Sequence, residues 1–374
     1  MAFISLGNID KNLIPILVGC VICFLNRILN QYEGTLLFKN VILTNIFISF
    51  SGLFAGIPYL IIKKSSKGVI TTDLKNINKN VIKYLYINKN KAIIEGKKRL
   101  ILLSSLIYFV QSLLYTYTLI IKTNSWIWYI LITSIFYYLI FKIKLYKHHY
   151  LSVILILLIG FIIDLVLENI QNDIINNLFL LLIRFLREIL LSLHFVIIKY
   201  IIEKKFVSVY EMVFFNGIIN LLLLGIFSIF DYCFFGIYNY SEYFNNFNFK
   251  EFLVIMGEMV TQLCLNLSLL FTINYNSPCH VFIIFVFGQL AYYVNFAGYS
   301  IFVIVCLVII LFLSLIFNEI IEINVWGLSY NTKKNISARA GDEDELFITK
   351  IDTIDSNLEK DGLLIEFGEN QVIE

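Results

Sequence analysis

The stretch Ile301–Phe317 reads IFVIVCLVIILFLSLIF, and every residue in it except Ser314 is apolar. A bilayer hydrocarbon core about 30 Å thick needs about 20 apolar helical residues to cross it. Nine other apolar stretches of comparable length precede this one, and short polar loops join most of them. The sequence therefore predicts an all-α, polytopic membrane protein with ten transmembrane helices.

The composition of the chain agrees with this prediction. Apolar residues make up 59% of the sequence, against about 45–50% in ordinary soluble domains. The first span is expected to be retained, since Asn26 and Arg27 follow its apolar core without a small-residue cleavage site. We place the ten spans at Leu13–Leu29, Leu37–Ile62, Leu100–Ile121, Trp126–Phe141, Leu151–Leu167, Leu178–Ile198, Val209–Phe230, Phe252–Ile273, Val281–Val294 and Ile301–Phe317.

Lysine and arginine are concentrated in alternate loops, and the loop 63–99 alone carries eleven of them. The loops after the fourth and sixth spans are also basic, whereas most of the intervening loops carry one basic residue or none. Short cytoplasmic loops hold the excess of Lys and Arg in membrane proteins. We therefore expect a multi-pass protein with both termini in the cytoplasm. The membrane is either an endomembrane (Golgi, vacuole or endosome) or the plasma membrane.

The ten spans divide into two sets of five, residues 11–168 and 176–320. Because five is odd, the second set begins on the opposite side of the membrane and is inverted relative to the first. Two inverted repeats are a common plan for secondary transporters, with the substrate site at their interface. The basic loop 63–99 is expected in the cytosol, as is the acidic tail 321–374, which we expect to be largely disordered.

Three passages resemble the drug/metabolite transporter superfamily, above all its nucleotide-sugar and sugar-phosphate translocator branch. They are Phe24–Arg27 (FLNR), the segment Lys199–Lys205 (KYIIEKK) followed by Val209–Met212 and Asn216-Gly217, and Asn276–Pro278 (NSP). The resemblance covers about residues 11–320. It implies two inverted five-helix repeats and a transporter that moves a small metabolite by alternating access.

The ninth span departs from that branch. The branch carries a lysine about ten residues after the Ser-Pro, where it is thought to face substrate phosphate. Here the region reads Phe287-Gly288-Gln289-Leu290, and no Lys or Arg lies between Asn274 and Phe317. A phosphorylated substrate would need a positive partner elsewhere, so the departure favours a neutral or cationic solute.

The sixth span contains Arg184, Arg187, Glu188 and His194. Ionisable groups inside a membrane are costly and usually face the bundle interior or a water-filled cavity. Arg184 and Glu188 are four residues apart, so the ordinary explanation is that they neutralise each other. Arg187 is then left over, and it is a candidate for binding a substrate anion or for gating.

The eighth span carries Glu258, Gln262 and Asn266 on one helical stripe, with Thr261 beside it. Polar groups in an apolar span must face protein or water. An interhelical hydrogen-bonded seam is one interpretation, and a position of Glu258 at the membrane interface is another. As a cavity wall, the stripe would let Glu258 hold a proton near neutral pH, because burial disfavours the charged carboxylate. We expect Arg187 and Glu258 to face one cavity, Arg187 orienting the solute and Glu258 exchanging a proton or cation.

Other features predict packing rather than chemistry. Gly52–Gly56 forms a GxxxG pattern that lets helix backbones approach closely, and Pro58 is expected to kink the same helix. His280 is expected to be a polar cap at the start of the ninth span. Glu211 is expected to pair with the Lys204-Lys205 segment.

Two short motifs concern processing and sorting. Asn239-Tyr240-Ser241 fits an N-glycosylation sequon in a loop expected on the non-cytoplasmic side. Near the C-terminus, Glu359 followed by Leu363 and Leu364 fits the acidic dileucine form that sorts membrane proteins to endosomes, lysosomes or vacuoles.

Metal, cofactor and enzyme chemistry find little support. Cys20 and Cys23 form a CxxC pair, but a zinc site needs a second ligand pair at suitable spacing. No GxxxxGK[ST] motif occurs, which argues against an ATP-driven pump. The expected partners are a small-molecule solute and membrane lipid, with a homodimer left open, and no nucleic acid or cofactor is expected. The alternatives to a transporter are a membrane-embedded enzyme and a non-transporting scaffold or sensor.

Overall fold

A computed structural model describes part of the chain. The described residues are 4–6, 13–32, 41–61, 97–114, 127–142, 145–168, 174–205, 207–235, 249–296, 301–323 and 332. The candidate residues Asn239, Glu359, Leu363 and Leu364, and most of the basic loop and the tail, lie outside them.

The described residues form ten helices, and each helix falls on one of the ten predicted spans, so the all-α prediction is confirmed. They are α1 (Ile14–Tyr32), α2 (Val41–Ser51, continued through a 3₁₀ turn Gly52–Ala55 to residue 61), α3 (97–114), α4 (Trp128–Phe141), α5 (Lys147–Glu168), α6 (Ile174–Lys205), α7 (Val209–Phe230, continued by a π-helical turn Asp231–Phe235), α8 (Phe249–Tyr275), α9 (Val281–Phe296) and α10 (Ile301–Phe317).

Two of these helices combine the length and the apolar composition needed to cross a membrane, over Val209–Phe234 and Phe252–Tyr275. Six other apolar helices in the described part of the chain are 10–17 residues long. Membrane association thus has support from two helices, and the ten-span arrangement is treated below as a proposal.

The helices belong to one compact unit, Ile9–Asn318. A second unit contains the strands β1 (Ile4–Leu6) and β2 (Ile321–Ile323), which pair antiparallel with Ile4 opposite Ile323. These strands were not predicted. Each has only three residues, too few for a period-2 pattern to stand out from the sequence.

Within the helical unit, α1 packs against α8 and α9, and α2 packs against α7 and α8. On the other side of the unit α4 packs against α5 and α6, and α10 packs against α5 and α9. Side chains of α3 reach α6 and α7 by hydrogen bonds. Every helix of the first five therefore contacts at least one helix of the second five.

Neighbouring helices have defined directions. α1 and α9 run parallel, because Gly19 faces Ile284 and, one turn further along both helices, Cys23 faces Gly288. By the same kind of paired contact, α3 is parallel to α7 and α4 is parallel to α6. α1 is antiparallel to α8, and α2 is antiparallel to α7. In all of these pairs, odd-numbered helices run one way and even-numbered helices run the other.

A close helix crossing joins α2 to α7. A Cβ added to Gly217 would lie 2.9 Å from the Ser49 carbonyl oxygen and 3.0 Å from Gly52 Cα. The GxxxG pattern therefore does bring two backbones together, as predicted. The helix is also distorted just before Pro58, as a 3₁₀ turn at Gly52–Ala55. Proline lacks the N–H that would bond the carbonyl four residues earlier, so the regular α-helical pattern is lost there.

Two local caps set helix ends. Ser208 precedes α7, and its hydroxyl accepts a hydrogen bond from the Glu211 N–H at 3.1 Å. Ser277 and His280 form a capping box at the turn before α9, with Ser277 Oγ 2.9 Å from His280 Nδ1. The prediction that His280 is a polar cap is confirmed.

Candidate functional site

The helical unit has two halves, α1–α5 and α6–α10. One polar contact between them joins α1 to α8. Asn26 Nδ2 donates a hydrogen bond to Gln262 Oε1 at 2.8 Å. Asn26 is 6% exposed, and a rise of 1.5 Å per residue puts it about 18 Å from the start of α1. Gln262 thus contributes to an interhelical seam, which was one of the predicted roles of its stripe. Asn26 belongs to the FLNR passage, but the sequence did not identify it as the partner of Gln262.

A second polar contact joins α6 to α3. His194 Nδ1 lies 3.0 Å from both the hydroxyl and the carbonyl oxygen of Ser104. The imidazole also packs against Tyr108, with ring centroids 5.0 Å apart. His194 is 2% exposed and lies about 17 Å from the end of α6. Ser104 could not be singled out, since nothing in the sequence distinguishes it from other span serines.

These two contacts are equivalent in the architecture. In each, the first helix of one half binds the third helix of the other half through a polar side-chain contact. The end of α6 and the end of α8 lie at the same end of the unit, because Lys199 near the end of α6 reaches Asn274 and Asn276. Since α1 is antiparallel to α8, α1 starts at that end too. His194 precedes Lys199, the residue that reaches the end of α8, by about 7.5 Å along α6, whereas Asn26 lies about 18 Å from the start of α1, so the two pairs lie at different depths.

The contact between α3 and α7 corrects one prediction. Glu211 Oε1 pairs with Lys97 Nζ at 2.7 Å, not with the Lys204-Lys205 segment. The reason is that α3 and α7 begin side by side, and helix α6 continues to Lys205. Further along both helices, Ser105 Oγ donates to Asn216 Oδ1 at 2.6 Å.

The charged group of α6 is arranged differently from the prediction. Arg187, and not Arg184, pairs with Glu188: Arg187 Nη2 and Nε lie 2.6 Å and 3.1 Å from Glu188 Oε1. All three side chains are buried. The prediction that Arg187 is the charge left over is therefore wrong. Helical spacing predicts which Cβ atoms are neighbours, but a long arginine side chain can fold back onto the adjacent residue when packing favours it.

The other members of the α8 stripe are Glu258 and Asn266. Glu258 is 7% exposed, and its carbonyl oxygen accepts a hydrogen bond from Thr261 Oγ1 at 3.0 Å. Asn266 is half-buried. A cavity shared by Arg187 and Glu258 stays a prediction.

A column of hydroxyl groups runs between α4 and α6. Thr133 Oγ1 donates to Ser192 Oγ at 2.9 Å, and Ser192 Oγ donates to the Tyr129 carbonyl at 3.4 Å. The Tyr129 hydroxyl donates to the Pro278 carbonyl at 2.9 Å. All of these side chains are buried. The sequence gives no sign of this column, because single hydroxyl residues in apolar spans are common and only packing shows that they meet.

Lys199 is another residue that the sequence analysis misplaced. It was expected in the basic loop after the sixth span, but it lies inside α6 and is 3% exposed. Its Nζ atom donates to the carbonyls of Asn274 and Asn276, at 3.0 Å and 2.7 Å, and pairs with Glu203 at 2.9 Å. The carbonyls at a helix C-terminus lack helical partners and attract positive charge. Lys199 thus ties the end of α8 to α6.

No protein-family model matches the chain, and no curated protein sequence matches it.

Proposed function

We propose that this protein is a secondary transporter with ten membrane spans, built from two inverted five-helix repeats, which moves a small metabolite across an internal or plasma membrane by alternating access. The resemblance of residues 11–320 to drug/metabolite transporters supports this function. Its ordinary partners would be a small-molecule solute and membrane lipid.

One observation carries the proposal, namely the pattern of helix contacts. Each helix of one half has an equivalent in the other half, five numbers earlier or later. When every helix is replaced by its equivalent, the pairs α1–α8, α1–α9 and α2–α8 become α6–α3, α6–α4 and α7–α3. All six pairs are in contact. The same exchange turns α9–α10 into α4–α5, and it leaves α2–α7 and α5–α10 unchanged; these contacts also occur. Two repeats related by a two-fold axis in the membrane plane would have this property.

The outer surface of the helical unit supports a membrane location. Large apolar side chains point outward along α7, where Ile226 and Ile229 are 65% and 67% exposed, and along α10, where Ile301 is 79% exposed. Polar side chains such as Asn26, Ser104 and His194 are instead buried between helices. This inside-out distribution suits a chain surrounded by lipid.

The two polar pairs support a substrate site between the halves. Both lie inside the helical unit, Asn26 about 18 Å from the start of α1 and His194 about 17 Å from the end of α6. Both pairs offer neutral hydrogen-bonding groups. Such groups suit a neutral or cationic solute better than a phosphorylated one, in line with the missing lysine of the ninth span.

Counterflow in proteoliposomes tests the function. Purified full-length protein is reconstituted, loaded with each member of a metabolite library, and assayed for uptake of the same labelled compound against protein-free liposomes. A transporter should exchange at least one solute and return it chemically unchanged. A chemically altered product would identify an enzyme. Lack of exchange by folded protein across the library would favour a scaffold or sensor.

Epitope tags test the proposed orientation. A tag after Glu374 and another within Lys75–Lys91 should both be accessible from the cytosol, because positive loops stay inside. A tag at Asn239 should be accessible only from the opposite side. Finding the Lys75–Lys91 tag on the non-cytosolic side would overturn the orientation.

A further inference from the structure

The carboxylate of Glu188 is held on one side only. Arg187 donates two hydrogen bonds to Oε1. The second oxygen, Oε2, is also buried, and no hydrogen bond reaches it from the described part of the chain. The whole side chain is 1% exposed. The structure therefore contains a carboxylate with one oxygen bound by a cation and the other enclosed without a donor.

This arrangement is costly when the carboxylate is charged. A buried polar group without a hydrogen-bond partner costs about 1–3 kcal/mol, and a charged group costs more. An additional N–H or O–H donor would remove the cost, and so would a proton on Oε2 itself. Protonation leaves Oε1 free to go on accepting both hydrogen bonds from Arg187.

On the side of Glu188 that faces α4, the neighbouring groups are hydroxyls. The described part of α4 places no second cation there. Ser192 lies one turn further along α6, on the same side of the helix, and its hydroxyl contacts Thr133 and the Tyr129 carbonyl of α4. Tyr129 also interacts electrostatically with Glu188. On α6 itself the charged neighbours are Arg187 and, one turn earlier, Arg184. The face that α4 presents is thus neutral and hydroxyl-rich.

We propose that Glu188 is a reversible proton-binding site, with Oε2 as the atom that takes up the proton. The carboxylate and one proton from the aqueous phase form a carboxylic acid, with Arg187 bound to Oε1 in both states. The net charge of the Arg187–Glu188 pair changes from zero to +1. The expected proton exchange at Glu258 stays a separate prediction. The site does not depend on the proposed function, because its protonation can be measured with no solute present.

Infrared difference spectroscopy tests the proposal directly. Purified full-length protein in lipid is titrated from alkaline to acid pH while the carbonyl stretch of protonated carboxyl groups is recorded. Wild type should gain a band from a buried, protonated carboxyl, and Glu188→Gln should lose it. Glu258→Gln should keep the band. Glu203→Gln, which removes an exposed carboxylate from the same helix, should keep it too.

Loss of folding is controlled by a second variant. Glu188→Gln leaves Arg187 as a buried charge without its counterion, which is expected to destabilise the protein. The double variant Arg187→Gln, Glu188→Gln removes both charges and should fold, and it should also lack the band. The proposal is overturned if wild type shows no titrating buried carboxyl. It is overturned equally if the band survives in the folded double variant, or disappears in Glu258→Gln.

Discussion

The α2–α7 crossing and the α1–α8 contact both join the two halves of the helical unit, but they do so by different means. At the first, Gly52 and Gly217 let two backbones touch, and the contact depends on the absence of side chains. At the second, Asn26 and Gln262 hold the helices through one side-chain hydrogen bond. A contact made by shape has no tolerance for added atoms, whereas a contact made by one hydrogen bond can be lost at modest cost.

The largest loss of stability is expected at the α2–α7 crossing, where the contact depends on shape alone. Gly217→Leu adds a side chain where a Cβ would already lie 2.9 Å from a backbone oxygen, so α2 and α7 must separate. Overpacking of a close interface costs about 1–3 kcal/mol and sometimes more, and we expect at least the upper value. The measurement is the thermal unfolding midpoint of the purified protein in detergent.

Gly225→Leu is the matched control for this crossing. Gly225 lies two turns further along α7, and nothing stands within 4 Å of a Cβ added there. Its unfolding midpoint should stay near that of wild type. Equal losses of stability in the two variants would mean that helix propensity, and not the crossing, is being measured.

The next largest loss of stability is expected when the buried cation Lys199 is replaced. Lys199→Met removes the donor for the Asn274 and Asn276 carbonyls and frees Glu203. Hydrogen bonds to charged groups are worth about 1.5–3 kcal/mol, so we expect a loss of about 2 kcal/mol in the free energy of unfolding. Exposed Lys204, changed to Met, should lose far less. If Lys199→Met and Lys204→Met unfold alike, the contact between α6 and α8 contributes little.

The Asn26–Gln262 pair should show a smaller coupling. In a double-mutant cycle with Asn26→Leu and Gln262→Met, we expect an interaction free energy of about 0.6 kcal/mol, and at most about 1.7 kcal/mol, as for other interhelical hydrogen bonds in membranes. Asn26→Leu combined with Ser104→Ala should be additive, because those residues belong to separate contacts. Non-additivity in that second cycle would point to one connected polar network.

Ser104→Ala should have the smallest effect of the series. The substitution removes the hydroxyl near His194 Nδ1 but keeps the Ser104 carbonyl, which lies at the same distance of 3.0 Å. The imidazole therefore retains a hydrogen-bond acceptor, and the loss should be about 0.5 kcal/mol or less. His194→Phe removes both contacts and should cost more. A Ser104→Ala loss as large as that of His194→Phe would show that the hydroxyl is the main partner.

Helix positions could be predicted from this sequence with little error. The predicted spans Val209–Phe230 and Ile301–Phe317 coincide with α7 and α10, because a run of apolar residues bounded by polar loops has few other structures available. Sequence also indicated the glycine approach in α2 and the capping role of His280, because both depend on residues only a few positions apart.

Pairing between polar side chains was decided only by the tertiary structure. Arg187 binds Glu188 in place of Arg184, Glu211 binds Lys97, and buried Lys199 binds the end of α8. Helical spacing shows which residues share a face, but the partner on the facing helix and the rotamer that reaches it depend on how the helices are packed. Local apolar pattern therefore determined where the helices are, and packing between helices determined which polar groups meet inside them.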